Sequence, residues 1–230
     1  MLSKSNEGQI FLPSNINILS WNYDFQFELS LLNFIKTNKI QNLENYFKIL
    51  PNSKDDFTVL EEFCLIKLNG KAGGLITDEK FLRKNFFSLL HENSEEEDQD
   101  KLFEKYIQIH KDIIQNYNST IKDEKSISSI MFAWEKNELA DKIKSYTNKK
   151  ISETSILTVI GYSFPTFNRE IDKEILKNMY QLDKIIIQAP INDIESIEFR
   201  VRSLLDPAMI DITIKKVYTT NEFFIPFEFN

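Results

Sequence analysis

Two stretches decide the fold class: Ile156-Leu157-Thr158-Val159-Ile160-Gly161 and Lys184-Ile185-Ile186-Ile187-Gln188. Both are short, β-branched and nearly free of charge, as in strands buried on both faces. Between them Ile171, Ile175, Leu176, Met179 and Tyr180 recur at helical spacing. Ile194 to Leu205 reads as another helix and Ile212 to Val217 as a last strand. Strands separated by helices of about ten residues or more imply right-handed crossovers and a parallel sheet.

Towards the N-terminus the same alternation continues. Ile16 to Trp21 is a β-prone run, and Phe25 to Ile35 carries a wide apolar helical surface. Asn38 to Asp56 is polar, holds Pro51 and reads as a connecting segment. Phe63 to Leu68 predicts a second strand, closed by the turn cluster Asn69-Gly70 and Gly73-Gly74. Phe81 to Leu90 predicts a helix. Glu92 to Asp100, with six acids and no base, predicts a solvated loop. Leu102, Phe103, Tyr106, Ile107, His110, Ile113, Ile114 and Tyr117 repeat at three and four, which predicts a helix with His110 on its apolar side. Ser129 to Ala133 predicts a strand, and Leu139, Ile143 and Tyr146 a helix. The expectation is one α/β domain over residues 1–230. It has a mainly parallel Rossmann-like sheet flanked by helices, with a helical insertion at about 80–120 over the strand ends.

Composition bounds the function. Of 230 residues, 42% are hydrophobic and 27% charged, and 19 are Phe, enough to build a core and to exclude global disorder. One Cys, Cys64, excludes a disulfide framework. With two His it leaves too few ligands for a Cys-rich zinc site, which takes about four, so no metal is expected. A net charge of −7 argues against nucleic-acid binding. No run approaches the ~20 apolar residues of a membrane helix. Met1 to Pro13 lacks the apolar middle of a signal peptide, so a cytoplasmic protein is expected.

In open parallel sheets, ligands bind beyond the carboxyl ends of the strands. The residues there are Ser20-Trp21-Asn22-Tyr23-Asp24, Leu68-Asn69-Gly70, Phe132-Ala133-Trp134-Glu135, Gly161-Tyr162-Ser163-Phe164-Pro165 and Gln188-Ala189-Pro190. Each has a plain structural reading beside the functional one. Asp24 suits a helix N-cap, Asn69-Gly70 a turn, Pro165 a first helical turn, and Trp134 and Glu135 core and cap. Cys64 reads as a small buried hydrophobe, His110 as core and His91 as exposed.

Taken in order, these stations resemble the sirtuin family, and in particular the divergent sirtuin-like domains of bacterial phage-defence proteins. Ser20-Trp21-Asn22-Tyr23-Asp24 resembles the family's T-Q-N-I-D, and Leu68-Asn69-Gly70 stands where H-G is expected. Ala133-Trp134-Glu135 resembles F-G-E, Gly161-Tyr162-Ser163 resembles G-T-S, and Gln188 ends the strand where the family has Asn. The strings W-N-Y-D-F-Q-F-E and I-G-Y-S-F-P-T-F-N-R-E-I-D point to the defence branch, and the likeness covers roughly residues 15 to 220.

The resemblance implies NAD as ligand or substrate, hydrolysed to nicotinamide and ADP-ribose. It implies catalytic roles for Asn22, which would orient water or the ribose, and for Asp24, which would hold the nicotinamide side; Asn69 takes the catalytic His position. Trp21, Gly161, Tyr162, Ser163 and Gln188 would bind the cofactor, with Gly161 and Ser163 near phosphate or ribose. It also implies a homo-oligomer or a larger defence complex, while charge and hydropathy give no expectation of a nucleic-acid or membrane partner. The departures are equally specific. The family's Gly-rich G-A-G-x-S loop is not found before Ile16, and the four zinc-binding Cys of deacetylase sirtuins are absent, so deacetylation is not expected. An amide at Asn69 cannot take a proton as an imidazole can. The alternative is a catalytically inactive nucleotide-binding or protein-interaction module, or the C-terminal part of a longer sirtuin-like protein. The catalytic reading expects the strand ends to converge on one dinucleotide-sized cleft.

Overall fold

The structure, a computed structural model, describes residues 3–4, 10–11, 13–35, 43, 46–51, 57, 60–76, 81–82, 103–104, 106–108, 110–111, 114–115, 118, 127–130, 132–135, 138–209 and 211–227. The acidic stretch Glu92–Asp100 and His91 lie outside the described residues. The chain is α/β: two parallel three-stranded sheets carry flanking helices, an arrangement consistent with a Rossmann-like fold, and a further three-stranded sheet is antiparallel. It divides into two compact units, Leu2–Ile143 and, with Met1, Lys144–Asn230.

The N-terminal unit starts with a two-residue antiparallel ladder, β1 (Ser3–Lys4) on β2 (Ile10–Phe11). Its parallel sheet has the order β3 (Asn17–Ser20), β5 (Cys64–Lys67), β4 (Lys48–Leu50), with helix α1 (Gln26–Ile35) following β3. The strand Lys48–Leu50 lies inside the segment read as a connector. Its Ile49 and Leu50 are buried because Leu50 pairs with Ile66 of the fully buried β5. Phe25, Leu31, Leu32, Leu43, Phe47, Ile49, Phe63, Leu65 and Ala72 form one core, with Phe47 and Phe63 edge to face at 5.4 Å.

The glycines after Asn69 do not make a loop. They begin β6 (Gly70–Ile76), which pairs antiparallel with β7 (Phe81–Leu82) and β8 (Ile127–Ile130). Gly70 has φ +72°, which glycine alone adopts at no steric cost, and the pairing shifts register between Gly70 and Leu75, where Gly73 and Gly74 lie. Phe81 and Leu82 are therefore strand, not helix. In the expected insertion, every described position between 103 and 118 is helical. His110, however, is exposed rather than core, as are Phe103, Tyr106 and Ile114.

The C-terminal unit is a βαβαβ run: β9 (Ile156–Ile160), helix α3 (Arg169–Asn178), β10 (Lys184–Gln188), helix α4 (Ile194–Leu204) and β11 (Thr213–Val217), in sheet order β11-β10-β9. Helix α2 (Glu138–Ile151) leads into it, its first-turn acids Glu138 and Asp141 and last-turn Lys149 and Lys150 matched to the helix dipole. The central strand β10 is buried from Ile185 to Gln188. The edge strand β9 is only half-buried, and its Ile160 is exposed, so it is not covered on both faces as its composition predicts. Ile160, Gln188 and Val217 pair across the sheet, so the three strands end level. No described helix is long and apolar enough to cross a membrane.

Candidate functional site

In the N-terminal unit the first three stations meet at one rim. Ser20 and Lys67 pair at the ends of β3 and β5, which puts Trp21 beside Leu68-Asn69. The Asn69 side chain joins them: Nδ2 donates to the Trp21 carbonyl at 2.8 Å, and Oδ1 accepts from the Ala133 N–H at 3.4 Å. Ala133 arrives here although β8 is not a parallel strand. β6 starts at the rim and runs away from it, so its antiparallel partner β8 runs back, with Ile130 opposite Gly70. The turn after β8, closed by Glu135 N–H to the Phe132 carbonyl at 2.8 Å, stacks the Phe132 and Trp134 rings in parallel at 4.7 Å. Both rings are exposed, so Trp134 is not the core residue of its plain reading.

The Asn22 and Asp24 station is built in two layers. The Ser20 hydroxyl accepts from the Asn22 N–H at 3.1 Å, and Asp24 Oδ1 accepts from the Gln26 N–H at 3.2 Å, an N-cap on α1. Asn22 and Tyr23 are exposed. Beneath them Lys67 Nζ donates to the Asp24 carbonyl, lies 2.8 Å from Glu28 Oε1 as an ion pair rather than a directed hydrogen bond, and stands 4.9 Å from the Phe25 ring centroid. Both charged side chains are almost completely buried. Leu68 N–H on the Ser20 carbonyl and Ala72 N–H on the Tyr23 carbonyl complete the frame. Sequence reasoning passed over Lys67 and Glu28. Glu28 stands on the apolar face between Phe25 at i−3 and Leu32 at i+4, a charge on a core stripe.

In the C-terminal unit the Gly161 and Gln188 stations end neighbouring strands but differ in kind. Gly161 has φ +63°, and a Cβ placed there would meet nothing within 4 Å, so the backbone is open on that side. Ser163 is exposed, and its carbonyl accepts from Arg200 Nη1 at 2.8 Å. Phe164 is also left-handed at φ +51°, a strain of about 1–3 kcal/mol for a residue with a Cβ. Its buried ring packs against Tyr162 at 4.8 Å. Gln188 is buried, and its amide is spent on backbone: Nε2 donates to the Thr219 and Glu222 carbonyls, and Oε1 accepts from Phe224 N–H at 2.9 Å. That is a structural clamp on residues 219–224, not an amide presented to a ligand.

Tyr162 has a partner that sequence reasoning also missed. Its hydroxyl lies 3.0 and 2.9 Å from the two carboxylate oxygens of Asp172 and accepts from Asn168 Nδ2 at 2.9 Å. Asp172 is 3% exposed. Burial pushes its carboxyl up to about 7, against the downward pull of the Tyr162 bond, and burial likewise raises the Tyr162 phenol. Asp172 shares a helical stripe with buried Leu176 at i+4 and Met179 at i+7, and that is the signal by which it was findable. Among the described residues no group of three or more His, Cys, Asp or Glu is placed to hold a metal ion.

No family model, no curated protein and no solved structure matches the chain.

Proposed function

We propose that this chain is a sirtuin-like domain that binds NAD and splits its nicotinamide–ribose bond, in the manner of bacterial phage-defence proteins. The observation that carries the reading is the Asn69 bridge, which gathers the Trp21, Asn69 and Ala133 stations on one rim with Asn22 exposed beside them. In the reaction the C1′–N bond breaks and its electron pair passes to the pyridinium nitrogen. Nicotinamide leaves neutral, water adds to C1′ of the oxocarbenium ion, and one proton goes to solvent. Because nicotinamide needs no protonation to leave, an amide at Asn69 does not prevent the step. On the N-terminal rim Asn22 orients the water or ribose, Asp24 holds the nicotinamide side and Trp21 serves binding; within the C-terminal unit Gly161, Tyr162 and Ser163 offer groups for a nucleotide of their own accord. The same reading carries a cytoplasmic location and a homo-oligomer or larger defence assembly as working form.

One observation favours a second reading, a module that binds the nucleotide without cleaving it: the Asn69 amide is engaged on both sides by backbone and has no proton to take or give in the reaction. Nicotinamide release and ADP-ribose affinity, measured on the wild type and Asn22→Ala, separate the two. Release that falls at least tenfold in Asn22→Ala supports the hydrolase. Binding without release assigns the chain to the second reading. Absence of both binding and release removes both.

A further inference from the structure

The loop after β9 is held in an uncommon shape by a group that is costly to keep charged. Gly161 and Phe164 are both left-handed, and Tyr162 between them is tied through its hydroxyl to Asp172 and Asn168. A buried carboxylate is ordinarily offset by a cation. At Asp172 the groups that bear on the carboxyl are burial itself and the Tyr162 hydroxyl. On its own helix Glu170 and Lys173 are exposed, and from α4 Arg200 reaches the Ser163 carbonyl of the same loop. The first turn of α3 favours an anion through the helix dipole, while burial disfavours one. Packing alone is better served by a neutral side chain at this place; what the carboxylate adds is a charge-assisted hold on Tyr162.

We propose that Asp172 is a positioning residue that sets the Gly161–Ser163 loop for its ligand through the Tyr162 hydroxyl, so that the loop is competent when Asp172 is ionised and relaxed when it is protonated. This rests on the nucleotide-binding reading above and gives that reading a built-in pH response. With the carboxyl titrating near 7, about one molecule in ten is ionised at pH 6 and most are at pH 8. Affinity scales with the competent fraction.

The test has two arms. ADP-ribose affinity is measured from pH 6 to pH 8 on the wild type, Asp172→Asn and Tyr162→Phe, the last keeping the ring packed on Phe164. The wild type should bind about tenfold more weakly at pH 6 than at pH 8, and both variants should be flat with pH and weak throughout. Independently of any ligand, the backbone amide NMR signals of Gly161 and Ser163 should titrate with a midpoint near 7 in the wild type and stay still in Asp172→Asn. Amides that do not move, or an Asp172→Asn variant that binds like the wild type at pH 8, overturn the proposal. Amides that titrate in a protein that never binds ADP-ribose remove the nucleotide reading and the loop's ligand role, and leave only the loop's coupling to Asp172.

Discussion

Glu28 and Asp172 occupy equivalent places in the two units. Each sits in the first turn of the helix that follows a strand-end station, each points into the core, and each is buried, 0% and 3% exposed. They are compensated in opposite ways. Glu28 has the Lys67 ammonium at 2.8 Å, and the same ammonium holds the Asp24 carbonyl. Asp172 has a phenol and, through it, an amide. A buried ion pair ties two elements together through opposite charges, whereas a carboxyl held by neutral groups keeps a protonation choice open. The N-terminal rim is thus locked, and the C-terminal loop is adjustable.

The largest effect should come from unlocking the first. Lys67→Met leaves Glu28 as a lone buried carboxylate and should cost about 3–5 kcal/mol in urea unfolding. Adding Glu28→Leu should return most of that loss; a double variant as unstable as the single one would break the contrast.

Next in size is Asp172→Asn, whose sign is opposite. The folded carboxyl titrates near 7 and the free one near 3.8, so between these values the native state holds the extra proton. The stability that Asp172 provides is greatest below the lower value, declines as pH rises towards 7 and is level beyond. The melting temperature of Asp172→Asn relative to wild type should therefore climb from pH 4 to pH 7 and then plateau. A difference that is constant with pH would mean that Asp172 does not titrate in the native protein.

The smallest effect sharpens the first region. Asp24→Ala removes the cap on Gln26 N–H but leaves the residue-24 carbonyl for Lys67. It should cost about 1 kcal/mol by chemical denaturation; a loss as large as that of Lys67→Met would show that the cap, not the buried ammonium, holds the station.

How far these features were legible depends on the physics behind each. Strands β3, β5, β9, β10 and β11 announce themselves because each lies in a short run rich in Ile, Leu or Val between polar or helical stretches. β4 does not, since Lys48-Ile49-Leu50 is three residues long and abuts Pro51. β6 was hidden by Gly70, Gly73 and Gly74, which signal turns by conformational freedom but here serve a left-handed entry and a register shift. The direction of β8 is a property of its pairing, not of its residues. The station positions were readable because α/β sheets place polar residues at strand ends. Their partners were not. Asn69 reaches back to Trp21 and on to Ala133, and Gln188 reaches on to Thr219, Glu222 and Phe224, and such long-range bonds leave no periodic trace. The two buried acids did leave one, each breaking the apolar stripe of its own helix.

The Gln188 clamp has a practical corollary for shortening or tagging this molecule. A chain cut after Tyr218 would remove all three backbone partners of the Gln188 amide and uncover the end of the central strand. The segment from Thr219 to Phe224 is better regarded as the hem of the sheet than as a loose end, and fusions belong beyond it.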